Sequence, residues 1–200
     1  MLTTPASVFP PIRRIFSRRD LIPQEPNCLW RIEQGVVRTV IWSEEGTAIT
    51  LGIWGSKDMV GQPLSCVEPH QIECLTPVEV SLLPDYLWHQ ELYAICLHAQ
   101  QTEEILSIVR CQPIHQRLLQ FLLWLAQKFG RQVEQGQLID LPISHQDIAD
   151  AIGTTRVTVT RELQKFEQDG VITRPYRKCI LLRKGNGLKE TLSARAATIQ

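Results

Sequence analysis

Through residue 83 the apolar positions come in short runs separated by turn signals, and after Pro84 they recur every three or four residues. Runs at 29–32, 36–42, 48–54, 71–75 and 78–83 are rich in Val, Ile, Thr and Trp. Between them fall Glu33-Gln34-Gly35, Ser43-Glu44-Glu45-Gly46, Gly55-Ser56-Lys57-Asp58 and Glu68-Pro69-His70, the Gly, Pro and Asp clusters that turns require. Five strands on this spacing imply an antiparallel sandwich or roll, and 14–22 supplies one or two more. Trp30, Trp42 and Trp54, twelve residues apart, read as core of that roll.

From 87 to 110 there is no Gly or Pro, and Leu92, Ile95, Cys96, Ala99, Ile105, Ile108 and Val109 form one apolar helical stripe. Such a helix can pack on its own roll or on a twin in a dimer. Pro113 opens a second helix, because its missing N–H costs nothing at a first helical position. Leu118, Leu119, Phe121, Leu122, Trp124, Leu125 and Phe129 are its buried face, and Gly130 ends it.

The chemistry lies in 138–183. Ser144-His145-Gln146-Asp147 has capping-box spacing ahead of a short helix, 146–153. Gly153-Thr154-Thr155 makes a tight turn with a hydroxyl cap, and a second helix runs from Arg156 to about Gln168. Two helices joined this way form a helix-turn-helix. Ile148, Ala149, Ile152, Val159, Leu163 and Phe166 point inward, and Ala149 is small enough for a close crossing. Beyond Gly170, 171–173 and 179–182 flank Arg174-Pro175-Tyr176-Arg177-Lys178, a two-stranded wing with a basic tip.

At about 100° per residue, Arg156, Val157, Thr160 and Arg161 share an outward arc, while Val159, Leu163 and Phe166 lie on the opposite side. Arginine can bridge guanine O6 and N7, and valine can touch a thymine methyl, so this arc suits a major groove. Ser144, His145, Gln146, Thr154, Thr155, Thr158, Arg177 and Lys178 surround it with groups that donate to phosphate.

Charge supports that division. The 200 residues are neutral in sum, but 1–112 hold 8 Lys/Arg against 13 Asp/Glu and 113–184 hold 11 against 7. A basic second half favours a polyanion, and the acidic first half argues against wrapping nucleic acid with the whole molecule. Hydrophobic residues at 44% and charged residues at 21% are ordinary for a globular chain, and no apolar run reaches membrane-spanning length. Residues 1–11 have no basic stretch followed by an apolar one, so a cytoplasmic address is expected. Six scattered cysteines read as reduced thiols.

The run Leu141-Pro-Ile-Ser-His-Gln-Asp-Ile-Ala-Asp-Ala-Ile-Gly-Thr-Thr-Arg-Val-Thr-Val-Thr-Arg-Glu-Leu closely resembles the helix-turn-helix of CRP/FNR transcription factors, especially the NtcA-type nitrogen regulators of cyanobacteria through 151–161. Phe9-Pro10-Pro11, Thr76-Pro77-Val78-Glu79, Arg117-Leu118 with Phe121-Leu122-Leu123, and Phe129-Gly130 extend the resemblance. It implies an α+β chain: an antiparallel β-roll of the cyclic-nucleotide-binding type (a double-stranded β-helix) over 1–86, a dimerisation helix over 87–111, a winged helix-turn-helix over 112–184 and a tail, 185–200. It also implies a homodimer on a GTA/TAC-type palindrome, read by Arg156, Val157 and Arg161, and contact with RNA polymerase.

Departures from the family bear on the effector. Gly61 is followed by Gln62 rather than Glu and no Arg-Ser follows, which argues against cyclic AMP. The NtcA branch binds 2-oxoglutarate, which would here fall to Val60, Gly61 and Gln62 with Lys57, Arg110 and Arg117; yet Pro63 has no N–H, and Lys57 is the only cation between Thr39 and Val109. An effector-independent or differently regulated roll is the stronger reading and a 2-oxoglutarate-responsive one the alternative. Glu162 stands where the motif usually has an aliphatic residue, which predicts looser local packing.

Other classes fare worse. Cys66, His70 and Cys74 have spacing for soft metal ligands on a helix, but Pro69 and the β character of 71–75 oppose it. An N-terminal cysteine cluster for iron and sulfur is missing, and no context supports haem. A metal-dependent β-roll enzyme needs inward histidines where the roll has only His70. A dimeric adaptor without DNA readout is disfavoured by the intact Arg156 and Arg161.

Overall fold

The computed structural model describes residues 12–176 and 178–184; Phe9-Pro10-Pro11, Arg177 and the tail 185–200 lie outside them. Strands β1 (Arg13–Phe16), β2 (Leu21–Ile22), β3 (Cys28–Gln34), β4 (Val37–Trp42), β5 (Ala48–Trp54), β6 (Met59–Val60), β7 (His70–Cys74) and β8 (Val78–Pro84) form two antiparallel sheets, ordered β1-β8-β3-β6 and β2-β7-β4-β5. Residues 14–22 therefore supply one strand to each sheet. Inward positions Ile22, Trp30, Ile32, Val37, Trp54, Val60, Ile72, Val78 and Val80 close a core between the sheets. Trp30 and Trp54 are buried as expected, but Trp42 is 44% exposed. It pairs with Ala48 across the end of β4, at the edge of the Glu44-Glu45-Gly46 turn, where no opposing sheet reaches it.

The expected continuous helix over 87–110 is broken. A 3-10 helix, Asp85–Gln90, precedes α1 (Leu92–Arg110), with Glu91 at the joint. The roll imposes the break: the Trp88 indole donates to the Leu83 carbonyl at 3.2 Å, and the Glu91 carboxylate receives Arg31 from β3 at 2.7 Å. The apolar stripe of α1 also divides. Ala94, Ile105 and Ile108 pack on the chain's own core, whereas Leu92, Cys96, Ala99 and Leu106 face solvent.

Pro113 caps α2 (Ile114–Phe129) from the residue before its first turn rather than within it. A hairpin that the hydrophobic pattern does not announce follows: β9 (Arg131–Val133) and β10 (Gly136–Ile139). After α3 (His145–Ile152) and α4 (Arg156–Gln168), β11 (Ile172–Thr173) and β12 (Ile180–Arg183) join the hairpin in one sheet, β11-β12-β10-β9. The wing is thus the edge of a four-stranded sheet. Gly136 permits its tightest approach, since a Cβ there would sit 1.9 Å from the Leu182 carbonyl oxygen.

One apolar cluster unites both halves. Ile53 and Leu75, from the roll, pack with Ile105 and Ile108 of α1 and with the interiors of α2, α3 and α4. All six cysteines are free thiols. No helix among the described residues is long and apolar enough to cross a membrane.

Candidate nucleic-acid interface

Ser144 caps α3, its Oγ accepting the Asp147 amide at 3.1 Å while the Asp147 carboxylate accepts the Ser144 amide at 2.8 Å and hydroxyl at 2.7 Å. Both groups of the capping box are satisfied. Gly153 then takes a left-handed conformation (φ 65°, ψ 55°) that turns the chain within one residue. Thr155 caps α4 by accepting the Thr158 amide at 3.2 Å, and the two hydroxyls lie 2.9 Å apart. Thr154 beside them is half-buried. Ile148, Ala149, Ile152, Val159, Leu163 and Phe166 are buried between the helices.

That packing leaves Arg156, Val157 and Arg161 on the outer face of α4. Val157 is 76% exposed, a large apolar side chain held in water. The Arg156 guanidinium makes no hydrogen bond or ion pair with another described side chain. Thr160 is different: its hydroxyl donates to the Arg156 carbonyl at 2.9 Å and lies 2.8 Å from His145 Nδ1. Its polar atom is engaged inside the motif. Burial, reinforced by the charges of Arg174 and Arg156, pushes the His145 imidazole below its ordinary pKa, so it is neutral near pH 7.

Ser144, His145, Gln146 and Arg156 line a cleft of about 710 Å³ with Arg174, Tyr176 and Lys178 of the wing. Lys178 is exposed, whereas Arg177 lies outside the described residues. Arg174 was part of the basic tip but not singled out from sequence. Its guanidinium forks onto the Glu167 carboxylate of α4, with Nε at 2.8 Å, so α4 itself orients the wing. Only the fold makes that pairing visible. Glu162 is buried and turns its carboxylate to Lys165 Nζ at 2.9 Å and Arg161 Nε at 3.7 Å.

The effector candidates do not converge. Val60 is buried on β6, Gly61 precedes a 3-10 turn, Gln62 donates to Glu68 at 2.7 Å, and Lys57 is exposed in a turn. His98 of α1 lies against this region, its Nδ1 3.0 Å from the Met59 carbonyl oxygen. Arg110 is twelve residues further along α1, about 18 Å at 1.5 Å per residue. Arg117 is committed elsewhere: its Nε donates to the Cys111 carbonyl at 3.0 Å and its Nη1 to the Ile152 carbonyl at 2.9 Å, stapling the α1–α2 joint to the end of α3.

Among the described residues no three His, Cys, Asp or Glu side chains gather as metal ligands. His70 and Cys74 stand at opposite ends of β7, about 13 Å apart at strand rise, and burial first, then Asp20 and Glu73, pushes the Cys74 thiol up to about 12.

This arrangement has known counterparts. The model of the Crp-like helix-turn-helix domain matches residues 116–191. The regulatory protein CysR of Synechococcus elongatus is 40% identical over 182 residues, which is 90% of this chain and 87% of that protein. The chain belongs to the CRP/FNR family of transcription regulators. The global nitrogen regulator of a Nostoc species is 31% identical over 185 residues, 82% of each chain, which puts this CRP/FNR member close to the NtcA type. A CRP-family regulator from Thermus thermophilus has the same fold, with a TM-score of 0.75 at 25% identity over 90% of this chain and 96% of its own. FixK2 of Bradyrhizobium japonicum, 18% identical, matches with a TM-score of 0.76 over 92% and 98%. These likenesses make the α+β fold that of the family, and the motif its DNA-binding element.

Proposed function

We propose that this CRP/FNR regulator acts in the cytoplasm as a homodimer on a palindrome of GTA/TAC type, with Arg156, Val157 and Arg161 reading bases and RNA polymerase as its further partner. It works by binding, without catalysis. The observation that carries the reading is an exposed Val157 beside an exposed Arg156 that has no side-chain partner among the described residues, at the start of α4. A valine side chain can meet a thymine methyl and a guanidinium can bridge guanine O6 and N7, so the pair matches what a major groove offers. Lys178, Gln146 and Arg174 line the flank where the phosphate backbone would run. Ser144, Thr155, Thr158 and Thr160 serve mainly as scaffold, because their hydroxyls are already engaged.

The roll functions without 2-oxoglutarate and without cyclic AMP, haem or an iron–sulfur cluster. Arg117 is spent on two carbonyls and Arg110 lies about 18 Å along α1 from His98, which leaves a dicarboxylate no pair of arginines beside Gly61.

Fluorescence anisotropy on a GTA/TAC palindrome and a scrambled duplex, at about 150 mM salt, tests both statements. A preference of about a thousandfold without added effector is expected, the lower end of specific binding. Equal weak binding overturns the reading, and a preference that appears only with 2-oxoglutarate overturns its second part.

A further inference from the structure

Arg38 sits on β4, 7% exposed, with its guanidinium turned away from the roll's interior toward α3. Its Nε donates to Glu73 Oε2 of β7 at 2.7 Å, and its Nη1 reaches Asp150 Oδ2 at 3.1 Å and Asp147 Oδ1 at 3.3 Å. Arg19, from the β1–β2 turn, closes the circuit through Glu73 at 2.7 Å and both oxygens of Asp147 at 3.2 Å. The remaining oxygen of Asp150 accepts the Gln146 amide at 2.7 Å. Two roll arginines thus serve two buried carboxylates of the first motif helix and one of the roll itself.

The apolar contact between the halves, through Ile53 and Leu75, excludes water but has little directional preference. A guanidinium forked among carboxylates is directional, because its N–H vectors are fixed in a plane. Asp147 and Asp150 lie one turn apart on α3, so bonds to both fix the helix's position and its rotation. α4 is in turn held to α3 by the His145–Thr160 bond and the shared interior. Beside the Arg117 staple between the α1–α2 joint and α3, the orientation of the reading face relative to the roll is therefore fixed by the Arg38 network.

We propose that Arg38, assisted by Arg19, is a positioning residue for DNA recognition, fixing the reading helix against the roll and hence the half-site separation a dimer accepts. This rests on the palindrome reading above. Released from the latch, α4 would still read a half-site but would no longer hold one phase with its twin, since each base pair added rotates a half-site by about a tenth of a turn.

The full chain, Arg38→Gln and Asp150→Asn are titrated on three duplexes: the preferred palindrome and versions with one central base pair inserted or removed. The wild type is expected to lose about tenfold or more on either altered spacing, and both variants less than about threefold, with affinity for an isolated half-site unchanged. Melting is followed by circular dichroism alongside. Variants that melt earlier yet keep the wild-type spacing discrimination would make the latch merely structural and overturn the proposal. Asp150→Asn preserves shape and the bond from Gln146, so it decides the matter if Arg38→Gln fails to fold. A wild type with no palindrome preference removes the DNA reading and this proposal together; a discriminating wild type with unchanged variants removes only the role of Arg38.

Discussion

His145 Nδ1 lies 2.8 Å from the Thr160 hydroxyl, so the two helices of the motif are hydrogen-bonded at a position where the helical wheel places a base-reading group. If that hydroxyl serves the motif and not the bases, Thr160→Val should leave base preference unchanged. It should lower stability by about 1 kcal/mol, because a half-buried imidazole nitrogen loses its partner. Denaturant unfolding together with binding to single-base variants of the site checks both. A shifted base preference at unchanged stability would return Thr160 to the reading face.

Arg156 and Lys178 separate the two kinds of DNA contact. Arg156→Ala should cost about 1 to 3 kcal/mol on the preferred site and relax selection at one base pair. Lys178→Ala should weaken specific and non-specific duplexes alike and reduce the salt slope by about one. Titrations at several salt concentrations distinguish them, and loss of affinity without loss of selectivity in both variants would break the assignment.

The elements whose evidence is local were legible in the sequence. The caps at Ser144 and Thr155, the turn at Gly153 and the inward set from Ile148 to Phe166 each follow from residues within one or two turns of each other. The β9–β10 hairpin was not, because 131–137 contains a single apolar side chain, Val133, and gives no alternation to read. The latch was invisible for another reason: Arg38 and Asp150 are 112 residues apart, and ion pairs leave no period. Helical spacing likewise located the apolar positions of α1 without telling which would meet the roll. His98 stacked on Trp54, ring centroids 3.9 Å apart, settles the inward side.

Lys128 shows what anchors α2 to the roll. Its ammonium pairs with Asp58 at 2.7 Å, donates to the Ile53 carbonyl at 3.0 Å and to Gln101, and lies over the Trp54 and Trp124 rings. Burial pushes its pKa down despite the Asp58 charge. Lys128→Met keeps the stem packing but takes the cation from Asp58, which still accepts the Gly55 amide and the Gln101 side chain, so a loss of about 3 kcal/mol, the low end for a broken buried pair, is expected. Adding Asp58→Asn should recover part of it in urea unfolding; a double variant as unstable as the sum of the two singles would refute the coupling.

Asp147 links stability to pH. Burial alone would raise its carboxyl, but hydrogen bonds from Arg19 and from the Ser144 amide and hydroxyl, with the Arg38 charge, outweigh that and hold it below the ordinary 3.8. A folded-state value below the unfolded one stabilises the fold fully above the unfolded value, and that contribution disappears as pH falls from there through the folded value. The stability gap between wild type and Asp147→Asn should therefore be constant near neutrality and shrink only in that acid window. Urea titrations from about pH 6 downward measure it, and a gap that stays constant to the lowest pH would contradict the linkage.

The outer face of α1 carries the last prediction. Positions 92, 96, 99, 103, 106 and 110 are spaced alternately by four and three residues, the repeat of a two-stranded coiled coil, and all are exposed. Leu106 is 60% exposed although Ile105 and Ile108 of the same helix are buried in the cluster that joins the roll to α2, α3 and α4. Water is a poor environment for such a row, and a second α1 in parallel register would cover Leu92, Cys96, Ala99 and Leu106 with their own counterparts. Leu106→Glu would place two like charges across that seam, one turn from the Glu103 pair, without touching the roll or the reading helix. Sedimentation should show the wild type as a dimer and the variant as a monomer with unaltered circular dichroism. Palindrome affinity should fall to that of a single half-site. A variant that remains dimeric would move the dimer contact away from this face, and a monomeric wild type would remove the palindrome from the proposed function.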